Sequence, residues 1–272
     1  MQINVFGNYK RKGKESIEEF SYGRNGQPKN NEGKRLLKEK YNYLLKMSDI
    51  QLLNVLWGAT FGLGSLDIFG SKDLKKKLET HYRSRSGREL FLNMPDSYWS
   101  NSFSNNRDGF LKEIGYEVER ALKNKRWSKL QNYSIDCSNI LERTNIDFRS
   151  DFLNPSLLAP MGGVQEVILK TLKVTQKEHH RPMRPTLMDF SNTSHNDYEI
   201  TLNIIIKDRF AVDTGDFTST GWENGIAKAG ATRLAQEALT AFWILQHQRG
   251  YPPFVWNAIF QSAIRVHQPV KK

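Results

Sequence analysis

One cysteine in 272 residues is the most telling scarcity of this chain. Cys137 has no second cysteine with which to form an internal disulfide, and no Cys/His spacing suited to zinc occurs, so stability must come from packing. Long apolar runs are missing as well. The longest stretch without charge, Ile50 to Leu66, holds 17 residues and includes Gln51, Asn54 and four glycine or serine positions. A membrane-spanning helix needs about 20 mostly apolar residues, so none is expected. Glycine and proline are too dispersed for a collagen-like or low-complexity chain. Met1 to Lys14 carries basic residues with no apolar stretch behind them and no small-residue cleavage site, which excludes an ordinary secretory signal.

Acid is in the minority too. There are 40 Lys and Arg against 29 Asp and Glu, a formal charge of +11, and residues 1–46 contribute 11 basic against 5 acidic side chains. Such an excess favours polyanions: nucleic acid, anionic lipid or phosphate-bearing substrates. The run Lys10, Arg11, Lys12, Lys14 also reads as a solvated tail. No ribonucleoprotein motif, zinc finger or basic zipper accompanies it, so no specific nucleic-acid partner is expected.

The hydrophobic fraction of 38% is sufficient for a core, and its patterning indicates an α+β fold with a mostly helical N-terminal half and a C-terminal antiparallel sheet carrying one long helix. Residues 1–45 read as a basic, flexible lead-in, polar and without sustained period over Tyr9 to Gly33, after which Leu37, Tyr41, Leu44 and Leu45 recur at helical spacing from Arg35. The helical part, 46–155, has Ile50, Leu53 and Leu56 behind a capping Ser48, with Gly58, Gly62 and Gly64 breaking that helix and Gly58 and Gly62 inviting close backbone approach. A further helix runs from Ser71 through Leu74, Leu78 and Tyr82 to the Gly87 stop. Another spans about 107–125, with Phe110, Leu111, Ile114, Val118 and Leu122 on one stripe. Residues 127–153 give no sustained period. In the α+β part, 156–272, Val164 to Thr175 and the short apolar piece 187–190 precede the clearest strand, Tyr198 to Ile206. There Tyr198, Ile200, Leu202, Ile204 and Ile206 alternate with polar residues. A loop over 208–222, a helix over 223–249 stopped by Gly250, and a closing strand from Phe254 to Val266 complete the reading.

The loop places Asp208, Asp213 and Asp216 within nine positions. Carboxylates crowded this way repel one another and therefore bind a cation, shift their ionisation or point apart. Asp, Thr and Gly are equally the residues of an ordinary turn, and a helix start favours acid, so a purely structural role fits the same letters. His195 precedes the strand and could project near the loop. His179 and His180 with Arg181 and Arg184 form a basic turn suited to phosphate oxygens. Cys137 beside Asp136 is a poor nucleophile candidate. No Walker loop, nucleophile elbow, zinc-protease motif or dinucleotide glycine pattern is present.

Most of the chain resembles an uncharacterised bacterial domain family associated with type VI secretion. The similarity lies in Leu74 to Gly87, Phe91-Leu-Asn93, the strand before Asp208-Arg-Phe210, Asp213 and Asp216, and Arg249-Gly-Tyr251-Pro-Pro-Phe254. The last 75 or so residues are also similar to colicin M. The colicin M signature is Asp-x-Tyr-Asp-Phe, then His-Arg-Gly, then Thr-Arg-Leu; here the matching positions are Asp213-Thr-Gly-Asp216-Phe217, Glu223-Asn-Gly225 and Thr232-Arg233-Leu234. Gly215, Glu223 and Asn224 replace the tyrosine, histidine and arginine.

This resemblance implies an antibacterial effector that leaves its cell without a secretory signal and acts in the target-cell periplasm, hydrolysing the phosphate linkage of the peptidoglycan precursor lipid II with Mg2+. A cognate immunity protein, a secretion-apparatus component and the lipid-linked precursor would be its partners. Asp213, Asp216 and Asp208 would hold the metal, Glu223 or His195 would activate water, and Arg209 and Arg233 would steady the substrate. Two alternatives remain: a secretion-associated binding protein that performs no chemistry, with the Gly58 to Gly64 stretch as a contact surface, and a metal-dependent nuclease toxin.

Overall fold

Period-two patterning becomes a six-stranded sheet in the computed structural model, which describes residues 2–10, 17–62, 71–94, 96–123, 132–144, 164–177, 195–218 and 231–269. In spatial order the strands are β2 (Leu90–Asn93), β6 (Phe254–Pro269), β5 (His195–Phe210), β4 (Glu166–Lys177), β1 (Gln2–Lys10) and β3 (Asn132–Asp136). The centre is antiparallel, through β6–β5, β5–β4 and β4–β1, while β2 and β3 are parallel edges. Because side chains alternate across a strand, this register puts Ile3, Val5, Val167, Leu169, Ile204, Ile206, Ala258 and Phe260 on one face, and all are buried.

Helices supply the rest of that core. Asp49–Gly62 and Ser71–Arg83 (α4 and α5) follow three short helical pieces, Ile17–Phe20 (α1), Asn31–Arg35 (α2) and Asn42–Leu45 (α3), with a π-helical turn at Leu36–Lys40. Helix α6 (Asp96–Lys123) lies in the chain between the two edge strands. It packs on β6 and buries Phe110, Ile114, Val118 and Leu122, which share one side at a spacing of four. Short helices α7 (Ser138–Thr144) and α8 (Thr214–Thr218) precede α9 (Ala231–Gln248), which is buried on every side from Ala241 to His247 because α4 and α8 cover it. Among the described residues no helix is long and apolar enough to cross a membrane.

The fold is α+β, with two refinements. The described parts of the lead-in expected over 1–45 are built into the core: Ile3 and Val5 anchor β1 between β3 and β4, and Leu37, Tyr41 and Leu44, the positions at helical spacing, are buried together with Leu36. One sheet therefore draws strands from all three expected parts, 1–45, 46–155 and 156–272, which share a single hydrophobic cluster. The second refinement concerns α4, which continues through Gly58; a Cβ there would meet nothing within 4 Å, so no backbone approaches closely at that position. Gly64, the apolar piece 187–190 and the His179–Arg184 turn lie outside the described residues. Gly250 (φ 73°) ends α9 in the left-handed conformation that glycine adopts without a Cβ clash.

Candidate functional site

Strand β5 ends at Phe210, and three residues later the chain enters α8. Asp213 and Asp216 meet across the first turn of that helix. Asp213 Oδ1 accepts the backbone N–H of Asp216 at 3.0 Å, and Asp216 Oδ2 accepts that of Asp213 at 2.8 Å. This is a reciprocal capping box, with acid at the N-cap and at the third helical position, and it satisfies donors that a helix start otherwise leaves without partners. The Asp-x-x-Asp spacing thus has a local physical cause. Gly215 makes room for it: a Cβ there would lie 2.9 Å from Asp213 Oδ1, so a side chain would displace the carboxylate. The tyrosine of the colicin M pattern is incompatible with Asp213 in this position.

A third carboxylate closes over the turn from α1. Glu18 is only 4% exposed, and its Oε1 accepts the Thr214 hydroxyl at 2.5 Å and the Trp243 indole N–H at 2.9 Å. Thr214 Oγ1 also accepts the backbone N–H of Lys29 at 3.2 Å. On α9 the His247 ring lies 4.9 Å from the Trp243 ring, and its Nε2 donates to the Val212 carbonyl at 3.0 Å. Gln246 Oε1 accepts the Val212 N–H at 3.1 Å, while its Nε2 donates to the carbonyls of Ser21 at 2.9 Å and Glu19 at 3.3 Å. Directional bonds therefore tie α1, the β5–α8 junction and α9 to one another.

Burial pushes the Asp216 carboxyl up to about 7; the bond from the Asp213 N–H offsets this only in part, and the negative charges of Asp213, Glu19 and Glu18 add to it. Glu18 goes the other way. Burial raises it, but the bonds from Thr214 and Trp243 together outweigh that effect and hold it below its ordinary value. Burial lowers His247, against the pull of the Val212 carbonyl and Glu18, which favours the neutral ring.

The structure joins only part of the set named from sequence. Asp213 and Asp216 are together. Asp208 belongs to β5 rather than to the loop: the strand runs on to Phe210, Asp208 is buried on the core face, and its Oδ1 accepts the N–H of Arg209 at 2.8 Å. Arg209 is close by but engaged, 3.6 Å from Glu19 and with its guanidinium 3.4 Å from the Phe20 ring centroid.

His195 is a correction. It opens β5 opposite Pro269, at the far end of a 16-residue strand. At about 3.3 Å per residue that separates it from the junction by roughly 50 Å of strand, so it cannot activate water beside Asp213. Arg233 lies in the first turn of α9, and Glu223 lies outside the described residues. Sequence reasoning missed Glu18; an isolated Glu-Glu pair in a polar segment carries no signal that it will close over a turn 196 positions away.

For Mg2+, no three His, Cys, Asp or Glu side chains gather as a metal-holding group among the described residues. Mg2+ commonly takes only one or two carboxylates, with water and substrate phosphates completing its shell, and Asp213 fits that smaller requirement. Comparison of the chain with family models, with curated proteins and with solved structures finds no match.

Proposed function

We propose that the protein is an antibacterial effector of the cell envelope that hydrolyses the phosphate linkage of lipid II at the Asp213–Asp216 turn. The observation that carries this reading is the Asp216 carboxyl, raised to about 7 in a junction crowded with other carboxylates. A group titrating there gives and accepts a proton at neutral pH, as a general acid–base catalyst must, and such displaced groups concentrate at working sites. Asp213 would hold Mg2+, which when bound polarises a phosphoryl oxygen, leaving Asp216 to exchange the proton. Glu18 fixes Thr214, and with it the spacing of the two aspartates. Export from the producing cell, action in the target periplasm, and an immunity protein and a secretion-apparatus component as partners belong to the same proposal.

A second reading, a secretion-associated binding protein, is favoured by the capping box itself, because both aspartates already serve backbone donors. Asp216→Asn separates the two. The amide oxygen still accepts the Asp213 N–H, so the turn persists, but proton transfer is lost. Hydrolysis predicts a fall of about 10²-fold or more in lipid II cleavage by the purified protein, together with loss of toxicity on periplasmic expression. Full activity in a folded Asp216→Asn protein removes the hydrolytic reading. Cytoplasmic toxicity with loss of DNA or RNA would replace it with the nuclease reading.

A further inference from the structure

The turn that carries Glu18 inward carries apolar side chains outward. Ile17 is 81% exposed, Phe20 51% and Tyr22 57%. No other six-residue stretch of the described residues presents three exposed large hydrophobic side chains. Ile17 and Phe20 are three apart and share one side of α1. The bonds of Glu18 and Gln246 hold the turn in this orientation, so these side chains cannot fold back into the core without breaking a buried polar network. One face of the Phe20 ring is backed by the Arg209 guanidinium. The segment continues through the exposed Arg24 and Lys29, within the 46 residues that hold more than half of the +11 charge.

Exposed apolar tips in a chain segment with a basic excess are what a bilayer interface recognises: the tips enter the headgroup boundary while anionic lipids attract exposed lysines and arginines such as Arg24 and Lys29. We propose that Ile17, Phe20 and Tyr22 dock the protein on an anionic phospholipid surface. The surface adjoins the candidate active site but does not depend on the hydrolytic reading, since adsorption needs no chemistry.

The test is co-sedimentation of the full chain with vesicles of phosphatidylcholine containing phosphatidylglycerol, beside vesicles of phosphatidylcholine alone. The expected result is binding to the anionic vesicles that weakens steeply with salt, as the screening length shrinks from about 10 Å at 0.1 M to about 3 Å at 1 M. The variant Ile17→Ser/Phe20→Ser/Tyr22→Ser is expected to bind about tenfold less tightly or worse. Ile17→Ser, at the most exposed of the three positions and therefore harmless to folding, is expected to lose about threefold. Failure of the wild-type chain to bind the anionic vesicles overturns the proposal, and a protein partner then becomes the occupant to seek. Unchanged binding by the folded triple variant, or by Ile17→Ser should the triple variant not fold, overturns it equally. Lipid II cleavage measured in detergent decides the hydrolytic reading separately, so failure of one proposal leaves the other standing.

Discussion

Two turns flank the C-terminal end of α9, and they differ in how fully their charges are balanced. In the turn from Arg249 to Phe254, charge is paired with opposite charge or placed on an aromatic face. Arg85 lies 3.8 Å from the Tyr251 ring centroid and 2.5 Å from Asp49, and Arg249 Nη2 donates to the Leu45 carbonyl at 3.0 Å. Tyr251 and Phe254 join Tyr82, Phe210 and Phe242 in one aromatic cluster. Packing accounts for the aromatic residues of that motif. The β5–α8 junction instead crowds like charges, Glu18, Glu19, Asp213 and Asp216, into a largely buried place, and the ionisation of Asp216 is displaced as a result. A motif built on aromatic packing is a poor place to look for chemistry; one that keeps a carboxyl near neutrality is a better one.

The largest effect should come from the packed turn. Tyr82→Ala removes a ring in contact with four other aromatic rings and is expected to cost about 3–5 kcal/mol in denaturant unfolding. The titration of Asp216 should stay unmoved, and a shift there would mean that the two turns are not independent. A smaller loss, about 2–3 kcal/mol, is expected for Glu18→Ala, which leaves the Thr214 hydroxyl and the Trp243 N–H buried without their acceptor. Unlike Tyr82→Ala, it should also move the Asp216 titration downward, because a neighbouring negative charge is gone. An Asp216 titration that ignores Glu18 would reduce the junction to a capping turn.

The strands and helices with clean periods were legible: β5 and β6 by alternation, α5 and α6 by stripes of Leu, Ile and Val at helical spacing. Strand β1 was not. Gly7 interrupts its alternation, Phe6 puts an aromatic on the exposed side, and the lysines that follow imitate a tail. Strand β3 offers only Tyr133 and Ile135, too short a signal to separate from loop. At the site, the Asp213–Asp216 spacing could be read because a capping box is local. Glu18 could not, because its role exists only once a distant turn is folded beneath it. Asp208 and His195 were misplaced for one shared reason: sequence proximity to the loop did not reveal that β5 runs two residues beyond Asp208 and places His195 at its opposite end. The judgement on Cys137 agrees with its surroundings, where burial, with Glu117 and Asp136 nearby, pushes the thiol up to about 12.

Titration of the Asp216 carboxyl carbon by NMR, in the wild-type chain and against Asp216→Asn for assignment, tests the account most directly. The account predicts a midpoint of about 7. Because the folded value lies above the ordinary one, the folded state binds this proton more tightly than the unfolded state does, so this residue's contribution to stability declines as pH rises from about 4 to about 7, a slope that Asp216→Asn should flatten. A midpoint near 4, the ordinary value for an aspartate, with no difference in slope between the two proteins, would contradict it.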